Sequence, residues 1–417
     1  MASHWPSMPT SRDPAARRLM WFFAIVYTVE GVGQAKSGVV WQPLTYFLKE
    51  TFGWTPLQVS ASLAVLDVPW MVKPLYGLLS DFVPLFGSRR RSWLLLANLA
   101  AVAAFAWVAL TTAPAAIVPA LTLTAIAMAV SSTLCGALLV ENGQRLGASG
   151  VFINQQWLWF NVALMGASLL GGVLIDWLPA VTALHTAAWI AAMAPLAALA
   201  SLPLVTEAHA AVDLAALRQR LAGLAAVFRS RTLWLIAVFL FLYYFSPGFG
   251  TPLYFHMTDD LAFSQGFIGL LSSVNAAGWI MGGLLYRFAL VRISDRSLLR
   301  FSILAGTAAT LAYLLLSGPV SAITVYFLSG VAGMVANIAT LTLAADHCPR
   351  GAEGFAFAAL MSVINLASPV SDLIGAALYE HVFANHLAPL IVVSGAATAL
   401  VLVFLPLLPV TSPATSR

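Results

Sequence analysis

The 417-residue chain is 60% hydrophobic and only 9% charged, with a formal net charge of +4. Soluble domains carry about 25% charged residues, so an ordinary water-facing globule is excluded. The two cysteines, Cys135 and Cys348, lie too far apart in sequence and in settings too unlike to suggest a disulfide framework or a zinc site.

Apolar runs of about 20 residues, long enough to cross a hydrocarbon core of about 30 Å, recur along the whole chain. They predict spans at about 19–46, 57–80, 92–111, 116–139, 150–175, 183–204, 232–256, 264–288, 298–317, 320–344, 353–378 and 385–409. The expectation is an all-α membrane protein of twelve transmembrane helices, with short loops making neighbours antiparallel.

Arg12, Arg17 and Arg18 precede the first span, which carries Glu30 and Lys36 where a cleavable signal would carry a small-residue site. It therefore reads as a retained span. Glu30 and Gln34 lie near its centre. Span 2 places Asp67 at a similar depth, followed by Trp70 and Lys73. Apart from Lys49, Lys36 and Lys73 are the chain's only lysines. An ionisable side chain inside a span is costly and normally faces a cavity or a partner. Residues six apart point about 120° away from one another on a straight helix, so neither Glu30–Lys36 nor Asp67–Lys73 is an ideal pair within its own helix. Pairing across helices is expected instead, either as structural ion pairs or as the lining of a solute cavity.

Span 2 runs into Gly77-Leu-Leu-Ser80-Asp81-Phe-Val-Pro84-Leu-Phe-Gly87-Ser-Arg89-Arg90-Arg91. Gly77 is read as permitting close helix approach, and Pro84 and Gly87 as turning the chain. A carboxylate at Asp81 beside Arg89, Arg90 and Arg91 suits charge-assisted bonds that hold one face shut and then release: a gate latch, not a binding site. Loops of the same pattern follow spans 4 and 10. Glu141-Asn-Gly-Gln-Arg145 precedes Leu-Gly-Ala-Ser-Gly150, and Asp346-His-Cys-Pro-Arg350 precedes Gly-Ala-Glu-Gly354. Acid, three residues, arginine and a glycine-rich helix opening thus recur in each half, as expected of parallel repeats.

Asn161 in span 5 and Asn275 in span 8 lie mid-span, where an asparagine either bonds between helices or lines a cavity. The stretch 206–231 is the one long connection. Leu214, Leu217, Leu221, Leu224 and Phe228 recur along it at helical spacing among arginines, which predicts an amphipathic helix in the headgroup layer. It divides the chain into six-helix halves at 1–205 and 232–417. In span 7, Pro247-Gly248 and Pro252 predict a break that frees backbone groups. Gly278 and Gly282 give span 8 a close-packing face. Every arginine cluster falls on the same set of alternate loops, which places both termini in the cytoplasm, as in a bacterial inner membrane.

From Pro69-Trp70 through Lys73-Pro74-Leu-Tyr76-Gly77 to Asp81 and Arg89-Arg90-Arg91, the sequence resembles the folate-biopterin transporter family of the major facilitator superfamily. The resemblance continues at Phe47-Leu48-Lys49, Val140-Glu141-Asn142-Gly143, Phe263-Ser264-Gln265 and Cys348-Pro349-Arg350, so it touches both halves. It departs at Cys135-Gly136-Ala137, where similar proteins tend to carry an acidic residue. The resemblance implies the major facilitator fold and transport of a pteridine or folate-like solute.

No phosphate-cradling loop, His-Glu-x-x-His or Gly-x-Ser-x-Gly occurs in the sequence, so no enzyme, cofactor or metal is expected. Transport must then draw on a gradient, and protons taken up at Glu30, Asp67 or Asp372 are the natural choice. The candidate solute and proton residues are Glu30, Gln34, Lys36, Asp67, Trp70, Lys73, Asn161 and Asn275. The candidate gating residues are Gly77, Asp81, Arg89, Arg90, Arg91, Glu141, Arg145, Asp346 and Arg350. The expected partners are the lipid bilayer, a small organic solute and protons, with no nucleic acid and a monomeric state. The residues leave open a non-transporting assembly factor for a pigment or other complex, and a carrier of another solute such as S-adenosylmethionine or a muropeptide.

Overall fold

A backbone inside hydrocarbon must satisfy its own polar groups, and a helix does this within one segment. The computed structural model describes residues 14–34, 36–146, 149–207, 229–290, 292–348 and 353–409, and among these residues the only regular elements are helices. In chain order they are α1 (Pro14–Gly33), α2 (Trp41–Phe52), α3 (Pro56–Val65), α4 (Val68–Met71), α5 (Lys73–Phe82), α6 (Arg91–Ala109), α7 (Pro114–Leu146) and α8 (Ser149–Trp177). There follow α9 (Ala180–Ser201), α10 (Arg231–Tyr244), α11 (Gly250–Asp259), α12 (Gln265–Leu285), α13 (Asp295–Ala312), α14 (Pro319–Asp346), α15 (Glu353–Ala377) and α16 (Leu387–Leu400). Among the described residues, nine helices are long and apolar enough to cross a membrane.

The remaining expected spans are broken, each for a local reason. The first stops at Gly33 and resumes at Trp41, across a turn in which Gly38 N–H donates to the Gln34 carbonyl at 2.8 Å. A side chain at Gly38 would collide with backbone there. The second is interrupted at Leu66–Asp67 and again at Val72, near Pro69 and Pro74, which have no N–H to give. The seventh breaks between Tyr244 and Gly250, around the Pro247-Gly248 pair that predicted it. The predicted linker 206–231 falls largely on residues 208–228, which lie outside the described residues.

The described residues group into two compact units, one within Met1–Leu44 and Val72–Ala216, the other within Thr45–Met71 and Leu217–Arg417. In the first, α1 packs against α7, α8 and α9, and α6 lies against α7 and α9. Small residues set these distances: Ala183, Ala187, Ala188 and Ala191 of α9 are fully buried, and a Cβ at Gly31 would strike the Phe160 carbonyl oxygen of α8. In the second unit, Gly278 and Gly282 of α12 cross α14 at Gly330 and Val331 so closely that added side chains would meet backbone. That close-packing face matches the sequence reading. The same unit takes in α3 and α4, which pack on α15.

Candidate functional site

The described residues of the first unit hold a cluster around Glu30 and Lys73 and another around Arg90. The inner one joins α1, α5 and α7. Lys73 opens α5 just after the second break of span 2, and its Nζ donates to Ser132 Oγ of α7 at 3.1 Å. Ser132 Oγ in turn donates to Glu30 Oε1 of α1 at 2.9 Å. An ammonium and a carboxylate are thus linked through one hydroxyl inside the bundle, where a lone charge would be costly. Cys135, one turn further along α7 and 2% exposed, lies in electrostatic reach of both Glu30 and Lys73.

The second cluster is centred on Arg90. The chain reverses at 85–88 through a two-residue turn in which Leu85 and Ser88 exchange backbone hydrogen bonds, with φ of 49° at Phe86 and 77° at Gly87. Both positive angles belong to the turn type that suits a tight reversal. The reversal brings Arg90, 4% exposed, back over the end of α5. Its guanidinium donates to Ser80 and to Asp81, and reaches Glu141 of α7 at 2.7 Å. Burial works against the charge of Arg90, but Glu141 and Asp81 outweigh it and raise its pKa above the usual arginine value. Glu207 closes the cluster. Its carboxylate accepts the Arg90 and Arg91 N–H groups at 3.0 and 2.9 Å, and the Ser88 hydroxyl, at the N-terminus of α6 where unpaired N–H groups and the helix dipole favour an anion.

Among the candidate solute residues, the structure brings Glu30 and Lys73 together. Gln34 and Lys36 lie in the interruption of span 1, Asp67 in the first interruption of span 2 and Trp70 in the short α4 that follows it, the last two within the second unit. There the Trp70 carbonyl accepts Asn365 Nδ2 of α15 at 2.8 Å. The Asn161 amide bonds the Trp157 carbonyl of its own helix at 2.8 Å, and the Asn275 amide the Tyr326 carbonyl of α14 at 3.0 Å. Both amides thus serve helix backbone.

Among the gating candidates, Asp81, Arg90 and Glu141 form one network, while the Arg89, Arg91 and Arg145 side chains are exposed. Arg145 bonds Asn142 at 2.7 Å, so Glu141 and Arg145 have different partners. A Cβ added at Gly77 would make ordinary contact with Thr133 at 3.8 Å, so close helix approach does not itself require that glycine. Asp346 ends α14 exposed, and Arg350 lies outside the described residues. The motifs did not single out Ser132 or Glu207. The Ser131-Ser132-Thr133 run in mid-span was the available signal for the first; nothing in the local sequence marks the second.

The fold is that of major facilitator transporters. It matches the nucleoside transporter NupG with a TM-score of 0.72 at 14% identity, over 94% of this chain and 98% of that one. It matches a D-xylose-proton symporter with a TM-score of 0.73 at 13% identity, over 96% and 99%. The chain belongs to the BT1 family, whose family model matches residues 32–416. It is 30% identical over 412 residues to the folate-biopterin transporter of Synechocystis sp., covering 93% of this chain and 81% of that protein. It is 22% identical over 351 residues to folate transporter 1 of Plasmodium falciparum, covering 80% and 68%. The protein is therefore a multi-pass membrane transporter.

Proposed function

We propose that the protein is a secondary active carrier of a pteridine or folate-like organic solute, driven by protons through alternating access. In this reading it has twelve spans in two six-helix halves, 1–205 and 232–417, joined by the linker 206–231. It works as a monomer in a bacterial inner membrane with both termini cytoplasmic. The observation that carries the reading is the Lys73–Ser132–Glu30 chain, a buried cation and anion in a fold of transporters whose relatives include folate carriers. A pterin presents adjacent N–H donors that a carboxylate such as Glu30 or Asp67 accepts in a two-pronged bond, Trp70 offers a stacking face, and Lys73 or Lys36 suits an anionic glutamate tail. Gln34, Asn161 and Asn275 complete the proposed solute and proton set. Asp81, Arg90 and Glu141 form the core of a latch, with Gly77, Arg89, Arg91, Arg145, Asp346 and Arg350 as the wider gating set.

The test is uptake of labelled folate and biopterin by purified protein in liposomes under an imposed pH gradient, with a thermal-shift screen of pterins, folates and S-adenosylmethionine alongside. Gradient-driven accumulation of a pteridine, with a matching rise in melting temperature, is expected. Accumulation that ignores the pH gradient removes the proton coupling. Stabilisation by S-adenosylmethionine alone moves the solute assignment to that compound.

A further inference from the structure

Tyr27 lies one turn before Glu30 on α1 and is 1% exposed. Its ring packs on Phe23 with centroids 6.2 Å apart, while its hydroxyl has no hydrogen-bond partner among the described residues. A buried hydroxyl without a partner destabilises the fold, and a phenylalanine would fill the same space without that cost. Helical side chains lean toward the helix N-terminus, over the residues three and four positions earlier. Residues three apart share a helix face, so Tyr27 and Glu30 are neighbours in electrostatic reach of each other, and at present the Glu30 carboxylate is engaged by Ser132.

Among the described residues, three titratable groups are in electrostatic reach of Glu30. Tyr27 is on its own helix, Lys73 on α5 and Cys135 on α7. The only titratable residue of α8, Asp176, lies about 20 Å along that helix from Ala163, where α8 meets Gly31. The only one of α9, His185, has its ring on the Thr111 carbonyl at 3.1 Å. Glu141, further along α7, is held by Arg90.

We propose that the Glu30 carboxyl is a two-position switch, held by Ser132 beside Lys73 when ionised and turned back one helical turn onto the Tyr27 hydroxyl when it carries a proton. The inference rests on the proton-driven reading above and gives it a mechanism. A proton from water on one face of the membrane binds a Glu30 carboxylate oxygen. The neutral acid loses its attraction to Lys73 and donates its O–H to the Tyr27 oxygen, and the Lys73 ammonium, no longer balanced by Glu30, attracts an anionic group of the solute. When the solute departs, Lys73 draws the carboxylate back and the proton passes to water on the other face. No covalent bond changes besides the O–H bond formed and broken.

Two measurements on Tyr27→Phe test the switch, and one of them needs no solute. In pH-induced infrared difference spectra of the purified protein in lipid, the protonated Glu30 carbonyl band is identified by its disappearance in Glu30→Gln. In Tyr27→Phe that band is expected at higher frequency, because the acid has lost its partner; an unmoved band overturns the proposal. In liposomes, pH-gradient-driven uptake of labelled folate is expected to fall roughly fivefold, the order of one hydrogen bond's worth, with folate counterflow at equal pH and the melting temperature retained. Unchanged gradient-driven uptake together with a raised melting temperature would mean that the hydroxyl is merely tolerated, and overturns the switch. So does a joint fall of uptake, counterflow and melting temperature, which marks a structural role. If wild-type protein moves no folate, the solute reading fails while the infrared band still decides the switch.

Discussion

Arg90 concentrates the energetics of the loop after span 2 into one side chain. It is 4% exposed, whereas the side chains of its partners Asp81 and Glu141 are 22% and 55% exposed. Removing the buried member of such a network strands two carboxylates, while removing an exposed member deletes a screened interaction. Arg90→Ala is therefore expected to destabilise the protein by about 3 kcal/mol, and Glu141→Gln by less than about 1 kcal/mol, measured as melting in detergent. Asp81→Asn keeps the size of the side chain and should insert normally. At equal membrane abundance it should transport several-fold more slowly, and wild-type transport by this variant would sink the latch. Ser132→Ala removes the hydroxyl between Lys73 and Glu30. It should weaken solute binding, read as a smaller ligand-induced melting shift, more than it lowers the melting temperature without ligand.

At the scale of helices, the sequence made legible whatever depends on long apolar runs. The expected spans from 92–111 to 183–204 and from 264–288 onward correspond to helices, with ends that differ by several residues. The break of span 7 was legible because Pro247-Gly248 removes a donor and a side chain at one place. The break of span 1 was not, since Gly31 and Gly33 alone do not stop a helix; it depends on how Gly38 folds back onto Gln34. Partnership across helices was legible for Glu30 and Lys73 from the cost of intramembrane charge, but Ser132 was hidden because a mid-helix serine usually bonds its own backbone. The broken span 7 has a consequence of its own. Gly248 N–H donates to the Ser371 carbonyl at 2.9 Å, Ser371 bonds the Ser246 carbonyl, and a Cβ at Gly375 would overlap the Gly248 carbonyl. Gly375→Ala must push α15 off this loop, and is expected to cost about 3 kcal/mol and most of the transport activity. Gly166→Ala is the control. Among the described residues nothing lies within 4 Å of a Cβ at Gly166, so it should raise stability by up to about 1 kcal/mol through helix propensity. Equal melting temperatures for the two variants would contradict the crossing.

Across the whole molecule, the segment Thr45–Met71 is encoded early yet belongs to the unit built mainly from the C-terminal part of the chain. Local sequence cannot announce a contact 210 residues long, and Lys49 makes one. Its ammonium reaches Asp259 of α11 at 2.6 Å and Glu50 at 2.7 Å, and lies 5.3 Å from the centre of the Phe255 ring. Burial works against its charge, but the hydrogen bonds to Asp259 and Glu50 outweigh it and raise the Lys49 pKa above its ordinary value. A raised pKa means that stabilisation is fully present below the unfolded lysine's pKa and is lost only as pH rises through the folded one. The pair should therefore contribute equally across the neutral range and fail only in strong alkali. With the Asp259 side chain 51% exposed, added salt should screen the pair and lower its contribution. Lys49→Glu sets three carboxylates together and Asp259→Lys sets two ammoniums together, so each should lower stability by about 2 kcal/mol. The exchanged pair, Lys49→Glu with Asp259→Lys, restores the attraction but leaves Glu50 beside the new carboxylate, so recovery of both melting temperature and transport should be substantial and incomplete. A double variant no more stable than the worse single one would show that Lys49 and Asp259 are neighbours without being partners.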